Sequence, residues 1–204
     1  MCKVVGRFVF FINNLPAFLY ICPMINKEWT LFLDRDGVLN KDVVNGIGYV
    51  IGVENMNVLP GVPEAMQKLS LLFGTIVICT NQRSIGKGLL SLEEFHRMNE
   101  KMLSVLEPAG GRIDKIYFAP DLEDDAFNRK PKPGMALQAK QDFPHIDFSK
   151  SVMVGNNLSD MQFARNAGIN ETVFVTTTIP DVPYPNPLID KKFDSLKAYA
   201  DSLG

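Results

Sequence analysis

The sequence is poor in the residues that build disulfide frameworks and soft-metal clusters, with three cysteines and two histidines in 204 residues. Cys2, Cys22 and Cys79 stand at no metal-binding or redox spacing, and Cys79 lies in a run that reads as buried. A stapled secreted scaffold is therefore excluded, and a reducing, cytoplasmic setting is the expectation. Basic runs, low-complexity tracts and internal repeats are also missing, and the formal net charge is only -2. Nothing draws the chain toward nucleic acid or an anionic membrane, so the expected partner is a small molecule and the expected state a monomer.

A membrane-spanning run is missing too. Phe8 to Cys22 is apolar and follows Lys3 and Arg7, which imitates a secretory signal, but Asn13, Asn14 and Pro16 interrupt it and no small-residue cleavage site follows. It is also shorter than the ~20 apolar residues a bilayer requires. The expectation is that Met24 is the natural start, with residues 1–23 an upstream extension and residues 24–204 the folded domain.

What is present from Trp29 onward is a regular alternation of short apolar runs and amphipathic stretches. Strands are expected at 30–34, 75–80, 113–119, 151–155 and 172–175. The run TIVICT is continuous and β-branched, as suits a strand covered on both faces. Helices are expected over 62–73, with Val62, Ala65, Met66, Leu69 and Phe73 inward, and from a Ser91/Glu94 capping box to about 106, with Phe95, Met98 and Met102 inward. Further helices are expected from Pro133–Gly134 to about 142, over 161–168 with Gly168 as the stop, and over 193–203. The alternation predicts an α/β fold, a Rossmann-like doubly wound parallel sheet, with its site beyond the carboxyl ends of the strands.

Chemistry-bearing residues follow these runs. The first strand ends in Asp34-Arg35-Asp36-Gly37, the second in Thr80-Asn81-Gln82, and the fourth in Gly155-Asn156-Asn157 with Asp160 nearby; Arg129-Lys130-Pro131 precedes a helix. Residues two apart on an extended segment point the same way, so Asp34 and Asp36 can face one substrate. A carboxylate can attack phosphorus, and a neighbouring acid can protonate the departing alkoxide and later deprotonate water. Lys130 and the Thr80 hydroxyl can stabilise phosphoryl oxygens, and magnesium can bind Asp34 and the backbone carbonyl of Asp36. Each feature alone has a plainer reading: a capping or turn Asp pair, a strand-end Thr, a solvated basic loop. Their order at successive strand ends favours the catalytic one.

LFLDRDGVLN, CTNQRSIGKGLLS, RKPKPGM and VGNNLSDMQFARNAG resemble, in order, the motifs of the haloacid dehalogenase superfamily of phosphatases. The resemblance is greatest to its small capless branch of heptose-bisphosphate and histidinol-phosphate phosphatases. It implies a magnesium-dependent phosphatase acting on a small sugar phosphate, most like a heptose bisphosphate, through an aspartyl-phosphate. The alternatives are histidinol phosphate or another phosphomonoester. Asp34 is then the nucleophile, Asp36 the general acid and base, Thr80 the phosphoryl-binding hydroxyl and Lys130 the stabilising lysine. Asn81, Gln82, Arg83, Arg129 and Asn157 are expected to bind substrate, beside a loop from Asp42 to Tyr49. No cap domain is expected.

Two departures stand out. The branch binds a structural zinc through cysteines and a histidine where this chain has YFAPDLEDDAFNRKP, with Ala119, Asp121, Ala126 and Asn128 at or near those places; no zinc is expected. Asn156 stands where the family pattern has a magnesium-binding aspartate, and Asn157 where a lysine is frequent. A charge pair at 4 Å in an effective dielectric of 20 is worth about 4 kcal/mol before desolvation, so an uncharged amide weakens the metal site. Asp160 is expected to compensate, directly or through water. A weakly active or inactive phosphatase-like binding protein is the reading that Asn156 raises.

Overall fold

A computed structural model of the chain describes residues 25–42 and 48–204. The start at Met24, the extension 1–23 and most of the loop from Asp42 to Tyr49 lie outside the described residues. Six strands form one parallel sheet in the order β3-β2-β1-β4-β5-β6: β1 Thr30–Leu33, β2 Thr75–Asn81, β3 Lys115–Ala119, β4 Ser151–Gly155, β5 Glu171–Val175 and β6 Lys191–Phe193. Its helices are α1 Val62–Leu72, α2 Arg83–Gly86, α3 Leu92–Leu106, α4 Gly134–Asp142, α5 Leu158–Ala167 and α6 Leu196–Ser202.

Strands β1, β2, β4 and β5 are buried on consecutive residues because both faces are covered. Leu31, Leu33, Ile76, Ile78, Val152 and Val154 join the core beneath α1, α3 and α6. Phe32, Val77, Cys79, Met153 and Phe174 join a second core with α4 and α5. β1 is central, with Leu33 in register with Ile78 on one side and Val154 on the other. The chain builds outward from β1 to β2 and β3, then crosses to β4, β5 and β6. The carboxyl end of β1 is thus the switch point where a doubly wound sheet opens its crevice. The connection from β2 to β3 contains α2, α3 and a single 3-10 turn, with no cap inserted.

Helix α2 lies where no helix is expected, and three further elements differ from expectation. The closing segment divides into edge strand β6 and helix α6, whose N-cap Ser195 accepts from the Ala198 N–H. Helix α5 starts at Leu158, earlier than expected, because Asn157 caps it: its side chain accepts from the Ser159 N–H at 3.1 Å, and Asp160 Oδ2 accepts from the Asn157 N–H at 3.0 Å. Strand β3 begins at Lys115, since Asp114 is occupied in accepting from the Ile76 N–H and pairing with Arg112.

Candidate active site

The Asp34 N–H donates to the Val154 carbonyl at 3.0 Å, carrying the β1/β4 ladder one residue past the strand and fixing Asp34 at the seam. The chain then turns sharply: Gly37 has φ +83, and the Gly37 N–H donates to the Asn40 carbonyl at 2.8 Å. This turn lets Val38 and Leu39 drop into the core, which anchors the loop after β1 by burial.

Lys130 is buried and bridges two carboxylates, its Nζ lying 2.8 Å from Asp34 Oδ1 and 2.6 Å from Asp160 Oδ1. Asn81 fixes its backbone from both sides, donating to the Lys130 carbonyl at 3.0 Å and accepting from the Lys130 N–H at 2.9 Å. Asp160 can come this close because residue 155 is glycine: a Cβ there would stand 2.3 Å from the Asp160 Cβ. Both Asp160 oxygens therefore have partners, Oδ1 in Lys130 and Oδ2 in the Asn157 N–H.

The charge balance is negative at this seam. Burial opposes the Lys130 charge, but Asp160 and Asp34 outweigh it and raise its pKa. Burial, then the nearby Asp160 charge, push the Asp34 carboxyl up to about 7 although Lys130 pulls the other way. One lysine does not neutralise two buried carboxylates.

Asp36 is held by Arg35 and Asn40, to which the residue pattern assigns no role, and by Gln82, which is expected to bind substrate. Arg35, with no solvent exposure, forks onto it with nitrogen to oxygen distances of 3.0 to 3.1 Å; Asn40 donates at 2.9 Å and Gln82 at 2.8 Å. Gln82 also donates to Thr80 Oγ1 at 2.9 Å, which leaves the Thr80 O–H proton free for another acceptor. The Arg35 guanidinium lies 5.1 Å over the Phe95 ring and donates to Asn99 Oδ1 at 3.1 Å. A sequence signal existed: Asn99 falls on the apolar stripe of α3, one turn past Phe95, and a buried amide demands a partner.

Asp34, Asp36, Thr80, Gln82, Lys130 and Asn156 line one open cavity of ≈ 250 Å³, together with Asn81, Arg129, Asn157 and Asp160. Arg83 is turned elsewhere, to the Leu122 carbonyl and to Asp124 at 2.5 Å. Asn156 is buried, its Nδ2 donating to Thr178 Oγ1 at 2.7 Å and its Oδ1 having no partner.

A family model described as polynucleotide kinase 3 phosphatase matches residues 53–176. A Burkholderia mallei protein named D-glycero-alpha-D-manno-heptose-1,7-bisphosphate 7-phosphatase is 36% identical over 157 residues, 73% of this chain and 80% of its own. The Escherichia coli K12 protein named D-glycero-beta-D-manno-heptose-1,7-bisphosphate 7-phosphatase is 35% identical over 174 residues, 81% of this chain and 88% of its own. The chain belongs to the heptose-bisphosphate phosphatase family of the haloacid dehalogenase superfamily. The crystal structure of D,D-heptose 1,7-bisphosphate phosphatase from B. bronchiseptica, complexed with magnesium and phosphate, matches with a TM-score of 0.74 at 28% identity. That match covers 86% of this chain and 97% of the other.

For this member of the heptose-bisphosphate phosphatase family no zinc is expected at the segment from Ala119 to Lys130. Its order comes from its own contacts. Asp124 pairs with Arg83 and, at 3.5 Å, with Arg129, while Asn128 Oδ1 accepts from Gln138 at 2.9 Å and the Phe127 carbonyl from the Gly134 N–H at 3.0 Å. No group of three or more His, Cys, Asp or Glu side chains is arranged to hold a metal among the described residues.

Proposed function

We propose that the chain is a magnesium-dependent phosphomonoesterase that hydrolyses a small sugar phosphate, a heptose 1,7-bisphosphate, through phospho-Asp34. The observation that carries the reading is the seam itself: a carboxylate at the central strand end, between a buried lysine and a strand-end hydroxyl. Asp34 attacks phosphorus while the ester bond breaks, and Asp36 gives the departing alkoxide its proton. Water then attacks the acyl phosphate, Asp36 accepts its proton, and inorganic phosphate leaves Asp34 free. Lys130 and the Thr80 hydroxyl meet the equatorial oxygens.

The donor set fits magnesium. The buried Asn156 Oδ1 lacks a partner, and Asp34 and Asp160 carry more charge than Lys130 offsets. Asp34, the Asp36 carbonyl and Asn156 would hold the cation, with Asp160 acting directly or through water, and it would supply neutralising charge to the phosphoryl oxygens. No zinc enters this scheme.

A linked prediction follows from Asp34. Its carboxyl is raised from 3.8 to about 7, so between these values the folded chain holds a proton that the unfolded chain has lost, and metal-free stability falls as pH rises through that window. Magnesium competes with that proton. The increase in Tm on adding magnesium is therefore larger at pH 8 than at pH 5.5, measured by thermal denaturation; equal shifts would contradict the ligand assignment.

Arg129 supports a substrate with a second phosphate, because it lines the cavity and its Nη1 is buried without a partner. Asn157 stands on the same wall. A panel of both heptose bisphosphate anomers, histidinol phosphate and a 3'-phosphorylated oligonucleotide, compared by kcat/KM, tests the substrate. A heptose bisphosphate is expected to lead; preference for either other ester overturns the choice. We place the protein in the cytoplasm as a monomer. No helix among the described residues is long and apolar enough to cross a membrane.

A further inference from the structure

An amide is a less symmetrical metal ligand than a carboxylate. Only its oxygen can coordinate a hard cation, and turning it over by half a rotation presents two N–H protons instead. A chain that binds magnesium through Asn156 therefore needs something that reads the two ends of this amide apart.

The structure contains such a group on the loop after β5. Asn156 Nδ2 lies 2.7 Å from Thr178 Oγ1, twenty-two residues along the chain, and Thr178 Oγ1 in turn makes a long 3.5 Å contact with Asp42 Oδ2. A carboxylate accepts, so the Thr178 proton points to Asp42 and its lone pairs face the amide N–H. The neighbouring Thr177 hydroxyl donates to the Gly37 carbonyl and pins the loop over the β1 turn. Gly37 makes room: a Cβ there would stand 2.1 Å from Asn156 Nδ2 and 2.7 Å from Thr178 Oγ1. With Nδ2 engaged, Oδ1 is left as the buried, unpartnered end of the amide of a residue that lines the cavity.

We propose that Thr178 is a positioning residue that orients the Asn156 amide, so that its oxygen faces a divalent cation at the head of β1. The proposal rests on the magnesium reading above and adds the β5 loop to the cation site. It also explains how an uncharged side chain serves there: the orientation of the amide is fixed before the cation arrives, which removes part of the cost of ordering it.

The test is manganese binding to the purified, substrate-free chain, followed by calorimetry and by the electron paramagnetic resonance of free manganese. Thr178→Val keeps the shape and removes the acceptor, and is expected to weaken binding about tenfold or more, the range seen when a residue behind a metal ligand is lost. Thr178→Ser keeps wild-type affinity. In the Asn156→Asp background, where either oxygen can coordinate, Thr178→Val is expected to change affinity by less than about threefold. Equal loss in both backgrounds, or none in either, overturns the orienting role while manganese binding by the wild type leaves the magnesium reading standing. No binding by the wild type defeats that reading and the inference with it.

Discussion

Asp34→Asn is expected to abolish phosphate release, lowering kcat by about 10⁴-fold or more, the scale on which loss of a nucleophile acts. The same variant is expected to lose no stability. Asp34 is pushed up to about 7 by burial and by Asp160, so the neutral amide removes a charge the metal-free fold bears at a cost. Lys130 keeps Asp160 as a partner at 2.6 Å. A metal-free Tm equal to or above that of the wild type, with turnover gone, marks a residue placed for chemistry. Undiminished turnover would end the nucleophile assignment; a collapsed Tm would show that Asp34 is structural.

Lys130→Met is expected to fail in both respects. It leaves Asp34 and Asp160 facing one another at a buried seam with no cation of the chain's own between them. Breaking such a group by removing one member costs about 3–5 kcal/mol, read from the urea midpoint at pH 8. The loss should shrink at pH 5.5, because carboxylates whose folded pKa is raised recover stability as they take up protons. Adding Asp34→Asn should restore part of it, since one of the opposed charges is then gone. Stability unaffected by Lys130→Met at pH 8 would mean that the ion pairs carry little of the fold.

The central strands were legible because burial on both faces removes the polar alternation that would confuse them: TLFLD, TIVICT and SVMVG read directly as strands, and β1, β2 and β4 match them to within about one residue. Strand β6 was not, because a three-residue edge strand holding Lys191 and Lys192 has the composition of a loop. At the site, Asp34, Asp36, Thr80 and Lys130 could be found from their order at strand ends, and they do line one cavity. Roles set by partners distant in sequence could not. Arg35 forks onto its sequence neighbour Asp36, but its other partners in the core are Asn99, far along the chain, and the Phe95 ring. Asn157 and Asp160 read as ligands, and the helix cap they share is also written in that spacing. Arg83 is drawn off by Asp124, a contact across 41 residues that no local pattern records. Thr178 carries no signal before the fold brings it to Asn156.

Whether the amide at position 156 leaves a working enzyme is tested most directly by phosphate release from heptose 1,7-bisphosphate against magnesium concentration, for wild type and Asn156→Asp. A phosphatase with an oriented amide ligand turns over in both forms, the variant saturating at lower magnesium because a charged ligand binds the cation more tightly. A wild type with no phosphate release at any magnesium concentration, beside an active variant, would contradict the assignment and make the native chain a phosphate-ester binding protein.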